Sequence, residues 1–123
     1  MEKTFFFDTY ALFEIVKGNL NYRDYTTDIG IVTTRLNLME LYYGLFVNFG
    51  KNVADEYYKR YREFCVEISD DLIKSAMRFR AENKKKDLSY VDCVGYAFAA
   101  EAKIKFLTGD KEFEKLPNVE YVK

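Results

Sequence analysis

Thr4-Phe5-Phe6-Phe7-Asp8-Thr9 is an aromatic run ended by an acid and a hydroxyl. Three successive phenylalanines without polar alternation predict a strand buried on both faces, the pattern of parallel sheets covered by helices. Asp8-Thr9 then opens a helical stretch carrying Leu12, Phe13 and Val16. The same alternation continues outward. Gly18 to Asp28 reads as a polar loop, and Gly30 to Thr33 as a second strand that leads into a helix from about Leu38 to Asn48. After Gly50 comes a helix with Val53, Tyr57, Tyr61 and Phe64 at helical spacing, then a third strand around Cys65 to Ile68. Ser69-Asp70 caps a helix to about Asn83, with Leu72, Ala76 and Phe79 inward. Ser89 starts another, with Val91, Val94, Gly95, Phe98 and Ala102 on one face. Ile104 to Thr108 is a buried strand, Gly109-Asp110 a turn, and Val119 to Val122 a last strand. Strands alternating with helices predict a three-layer α/β/α fold with a parallel sheet.

The 123 residues are 49% hydrophobic, with one proline and no repeat or composition break, which predicts a single domain over residues 1–123. Lys plus Arg is 19 against 20 for Asp plus Glu, so any polyanion must be held by local patches rather than by overall charge. Cys65 and Cys93 match no zinc spacing and follow no secretory signal, and they read as free thiols of a cytoplasmic protein. The apolar stretch Leu41 to Phe49 is too short to span a membrane. There is no histidine, which excludes the Ser-His-Asp triad, imidazole acid–base pairs and His-containing zinc sites. Catalysis must then use carboxylates, Lys, Tyr, Cys or a hard metal.

Ligand sites in open parallel sheets lie beyond the carboxyl ends of the strands, where Asp8 and Asp110 are expected. Glu40 and Asp92 fall in the first turns of predicted helices; Glu40 should share that edge, and Asp92 is placed less firmly. Each acid has a structural explanation. Asp8 can cap the first helix, Asn37 with Glu40 and Ser89 with Asp92 resemble capping boxes, and Asp110 sits in a turn. Together they ask for more, because two carboxylates ~4 Å apart repel by about 4 kcal/mol at an effective dielectric of ~20. A divalent cation relieves that repulsion, and an all-oxygen set suits Mg²⁺ or Mn²⁺. Such an ion supports phosphodiester hydrolysis without histidine.

The motifs then match a family. The chain resembles PIN-domain nucleases, particularly the VapC-like toxin half of toxin-antitoxin pairs, nearly end to end. The matching elements are Phe5-Phe6-Phe7-Asp8-Thr9, then Thr34 ahead of Glu40-Leu41-Tyr42-Tyr43-Gly44, then Leu88-Ser89-Tyr90-Val91-Asp92-Cys93 leading to Ala97-Phe98-Ala99-Ala100, and finally Thr108-Gly109-Asp110-Lys111-Glu112-Phe113. The resemblance implies a metal-dependent endoribonuclease in which Asp8, Glu40, Asp92 and Asp110 form the acidic centre. It also implies that Thr9 supports it, that Thr108 orients Asp110, and that Glu112 reaches a metal through water. A sheet of order 3-2-1-4-5, a homodimer, an RNA substrate and a small antitoxin partner follow from the same resemblance. Asn37 and Cys93 stand where Thr and Ala are usual, and neither is a ligand.

Lys84-Lys85-Lys86, with Arg78, Arg80, Lys103, Lys105 and Lys111, suits RNA phosphates, or else is a solvated helix end. Tyr42, Tyr43, Phe46, Tyr57, Tyr58 and Tyr61 are too dense for one buried stripe, so part of the set is core and part is available to an antitoxin helix, to bases or to a dimer partner. The alternatives to a toxin are a housekeeping RNA-processing nuclease and a non-catalytic binding module of the same fold. A phosphate-receiver domain is set aside, since only one acid follows the first strand.

Overall fold

The computed structural model describes residues 3–123. In β1 (Lys3–Phe7) the expected two-sided burial is realised. Phe5 and Phe7 pack among Leu12, Leu38, Leu41 and Leu107 on one face, whereas Phe6 packs among Leu72, Val94, Ala97 and Phe106 on the other. A strand whose side chains alternate sides but are apolar throughout must be covered twice, and that makes three layers. α1 (Thr9–Lys17), α2 (Arg35–Phe49) and α3 (Lys51–Tyr61) contribute to the first core; α4 (Asp70–Glu82) and α5 (Tyr90–Ala102) build the second.

β2 (Ile29–Val32), β3 (Lys105–Thr108) and β4 (Val119–Tyr121) complete a four-stranded sheet in the order β2-β1-β3-β4, every pair parallel. Phe7 pairs with Leu107 and Thr108 with Tyr121, so β1, β3 and β4 end at one level. The strand expected at Cys65 to Ile68 is not formed. It is reduced to a bridge between Thr33 and Cys65, made by Thr33 N–H to the Phe64 carbonyl at 3.0 Å and Val66 N–H to the Thr33 carbonyl at 2.9 Å. Thr34 is already committed to capping α2, and Ser69 to capping α4, which leaves little extended chain to pair. The five-strand order 3-2-1-4-5 therefore becomes four strands with a bridge beside the end of β2.

Three further expectations need correction. α2 starts at Arg35 rather than near Leu38, because Thr34 is its cap, accepting the Asn37 N–H at 3.2 Å. Glu40 consequently sits in the second turn and forms no capping box with Asn37. Within the expected loop after Gly18, Leu20–Tyr25 coil into a 3₁₀ turn whose Tyr22 is wholly buried, its hydroxyl donating to the Val122 carbonyl. At the far end of α5, Ala102 is exposed instead of facing the core. Gly50 joins α2 to α3 at φ 91°, a conformation that favours glycine. Both cysteines are free, and burial pushes the Cys93 thiol up to about 11. Among the described residues no helix is long and apolar enough to cross a membrane.

Candidate active site

β1 delivers Asp8 to the carboxyl edge of the sheet, where it caps α1 by accepting the Ala11 N–H at 2.8 Å. The side chain is only 1% exposed. β3, paired with β1, delivers Thr108 and then Asp110 to the same edge. Asp110 caps the turn Lys111–Phe113 through the Glu112 N–H at 3.0 Å, and donates its own N–H to the Thr108 hydroxyl at 3.0 Å. The same buried threonine lies near Asp8 and draws its carboxyl back toward the ionised form. Thr108 thus bears on both carboxylate-bearing segments rather than Asp110 alone.

Asp92 arrives on α5. Its Oδ2 accepts the Ser89 N–H at 3.2 Å while the Ser89 hydroxyl accepts the Asp92 N–H at 3.0 Å, which is the capping box expected from the sequence. Glu40 arrives on α2 and accepts from the Thr9 hydroxyl at 2.6 Å. In each of the four acids, therefore, one oxygen is held by a protein donor. Asp8, Asp92 and Asp110 are held by the capping bonds the sequence suggests, and Glu40 by the Thr9 hydroxyl instead.

Their electrostatics show the proximity. Burial pushes the Asp8 carboxyl up to about 8, with the charges of Asp92 and Asp110 adding to it against the opposing pull of the Thr108 and Ala11 hydrogen bonds. Burial likewise lifts Asp92 to about 6, with contributions from Asp110 and Glu40. Asp8, Asp92, Asp110 and Glu40 thus feel one another across a single edge. Among the described residues no three such acids are close enough to enclose an ion as they stand. The donor set nonetheless fits a hard divalent ion: every available atom is an oxygen, and Mg²⁺ takes few protein ligands and keeps several waters.

Glu112 does not face outward freely; its Oε1 accepts the Asp87 N–H at 3.2 Å, tying the segment before α5 to the Asp110 turn. Arg80 supports the same segment through the Leu88 carbonyl at 3.1 Å and lies over the Tyr90 ring. Lys84 and Lys85 are exposed and Lys86 half-buried just past the end of α4, and none makes an ion pair or hydrogen bond to the four acids. Of the aromatic set, Tyr61 is buried, Tyr42, Tyr57 and Tyr58 are half-buried, and Tyr43 and Phe46 are exposed at 73% and 50%. Met39 and Tyr42 of α2 with Tyr58 of α3 line a cleft of about 510 Å³, and Met39 and Tyr43 also flank Thr9 and Glu40. The sequence offers Asn37 only as a cap; in the structure it is 1% exposed and hydrogen-bonds both Thr34 and Thr9. The one signal of that role is a polar side chain a helical turn before Glu40.

The family model of the PIN domain matches residues 5–119. No curated protein sequence gives a significant match. Among solved structures, VapC20 of Mycobacterium tuberculosis, a Sarcin-Ricin loop cleaving toxin, superposes with a TM-score of 0.82 at 15% identity, over 97% of this chain and 99% of that one. VapBC2 of Rickettsia felis, bound to a fragment of promoter DNA, gives 0.74 at 16% identity over 98% and 99%. A toxin-antitoxin complex from Klebsiella pneumoniae gives 0.71 at 20% identity over 94% of each chain. At such identities the likeness is one of fold. With the family model spanning nearly the whole sequence, the chain belongs to the PIN domain family.

Proposed function

We propose that this chain is a metal-dependent endoribonuclease and the toxin of a toxin-antitoxin pair, with Asp8, Glu40, Asp92 and Asp110 as its acidic centre and Mg²⁺ or Mn²⁺ as its ion. The observation that carries the reading is Asp8: a carboxyl 1% exposed, held up to about 8 beside two further acids, in a chain without histidine. Folding gains nothing from placing like charges there. Solved structures of the same fold include toxins and toxin–antitoxin complexes, which favours the toxin role over housekeeping RNA processing.

When bound, the ion supplies positive charge that lets the carboxylates ionise side by side, acidifies an attacking water and offsets charge on the phosphate. The protein's own work is positional. Asp8 is set by the α1 cap, Asp92 by Ser89, Asp110 by the Glu112 N–H, and Glu40 by Thr9. A second copy of the chain completes a homodimer, and a small antitoxin occupies the apolar cleft along α2 and α3, with a basic side chain facing the acids.

The direct test is cleavage of a mixed structured-RNA pool with Mg²⁺ or Mn²⁺, then with EDTA. Metal-dependent cutting is expected; no cutting with either ion by antitoxin-free protein would overturn the nuclease reading. Growth arrest on expression separates a toxin from a processing enzyme. Lys84 to Lys86 pair with RNA phosphates, so changing all three to Ala should flatten the salt dependence of RNA binding. The log–log slope should fall by about 0.7 for each phosphate of a single strand that is no longer neutralised. An unchanged slope removes that loop from the interface.

A further inference from the structure

Asn37 stands in the first turn of α2 with both ends of its amide engaged, the carbonyl oxygen accepting and the amide nitrogen donating. Thr34 Oγ1 accepts the Asn37 backbone N–H at 3.2 Å as the cap of α2, so its single proton is free to be donated. It goes to Asn37 Oδ1 at 2.7 Å. With Oδ1 so engaged, the amide nitrogen must face the other way, and it donates to Thr9 Oγ1 at 3.2 Å. Thr9 Oγ1, having accepted, points its own proton at Glu40 Oε1, 2.6 Å away. Each group's donor and acceptor roles are fixed by the group before it, back to the helix cap. Thr34 and Asn37 are buried, so water is poorly placed to substitute.

We infer that Asn37 is a positioning residue: through the chain Thr34–Asn37–Thr9 it directs the Thr9 hydroxyl onto one oxygen of Glu40 and leaves Oε2 for an external ligand. The inference rests on the acidic-centre reading and deepens it. It also accounts for the hydroxyl that follows Asp8, since Thr9 couples the start of α1 to α2. A residue that merely capped α2 would need Thr34 alone.

The test uses the purified full chain and two readouts. In metal-free protein, the Thr9 hydroxyl proton should be slow to exchange by NMR, and Asn37→Ala should reduce that protection, because the Thr9 hydroxyl loses the amide donor that fixes its orientation toward Glu40. Mn²⁺ titration by calorimetry should then show affinity falling about 10-fold in Asn37→Ala and in Thr9→Val, the lower end of what loss of an outer-shell partner costs. The double variant should be no worse than either single one, because both cut the same chain. Thr9→Ser, which keeps the hydroxyl, should restore wild-type affinity. Additive losses, or an unprotected Thr9 hydroxyl in the wild type, would overturn the relay. Wild-type protein that retains the protected hydroxyl but binds no Mn²⁺ would overturn the metal-centre reading while leaving the hydrogen-bond chain intact.

Discussion

Asp8→Asn should lower RNA cleavage by about 10²- to 10³-fold, the scale on which loss of one well-placed electrostatic group acts, and at the same time make the metal-free protein more stable. The two effects have one cause. Asn retains the oxygen that accepts the Ala11 N–H and remains a good helix cap, so α1 keeps its start. What disappears is a carboxyl that folding keeps protonated. The folded value of about 8 lies above the usual 3.8, so the folded state binds the proton more tightly than the unfolded chain does. The associated stability is complete below about 3.8, declines as pH rises through the interval, and is gone above about 8. Metal-free wild type should therefore lose stability between those limits, while Asp8→Asn follows a flatter curve and exceeds it by on the order of 3 kcal/mol at high pH, as for an uncompensated buried charge. Urea denaturation in EDTA across pH 4 to 9 measures this. A variant that cleaves normally, or one less stable than wild type at pH 9, would exclude Asp8 from the acidic centre.

Metal addition should act in the same direction on the wild type alone. A cation favours the ionised carboxyls, and its binding to the folded state raises the melting temperature with concentration. Asp8→Asn should lose most of that rise.

The local signals that carry the fold are also those that carry the site. Phe5 to Phe7 announce a doubly covered strand because burial on both faces leaves no alternation, and Asp8 is legible because it ends that run. Ser89 and Asp92 are legible as a capping box, and the structure keeps it. What is not legible depends on neighbours distant in sequence. Cys65 to Ile68 has the composition of a strand but meets only one residue of the adjacent chain, since Thr34 has left the sheet to cap a helix. Tyr22 lies in a polar stretch and is buried because its hydroxyl finds Val122, a hundred residues away. Asn37 has the pattern of a cap, whereas the true cap lies three residues earlier and Asn37 spends both ends of its amide on hydroxyls from two elements. Pattern reading identifies the carboxylates; it does not find the uncharged side chains that hold them.

Gly109 is a second such case. In the sequence it is a turn glycine, and no positive φ occurs there. Its requirement is space. A Cβ would lie 2.2 Å from Cε1 of Tyr10 and 2.4 Å from the Val122 carbonyl oxygen. The Tyr10 ring could swing aside, but Val122 is held by its N–H to the Thr108 carbonyl at 2.9 Å, so a backbone atom would have to move. Gly109→Ala should consequently destabilise the protein by about 3 kcal/mol, the upper range for overpacking a filled interior, measured as a lower urea midpoint. Because Thr108 and Asp110 flank it, the displacement should also weaken Mn²⁺ binding in whatever fraction remains folded. Gly18→Ala serves as the contrast: its Cβ would meet nothing within 4 Å, and its φ of 80° makes the cost purely conformational. That variant should lose about 1 kcal/mol with metal affinity untouched. Equal effects on Mn²⁺ binding from the two substitutions would show that the close approach of α1, β3 and β4 around Gly109 does not set the position of Asp110.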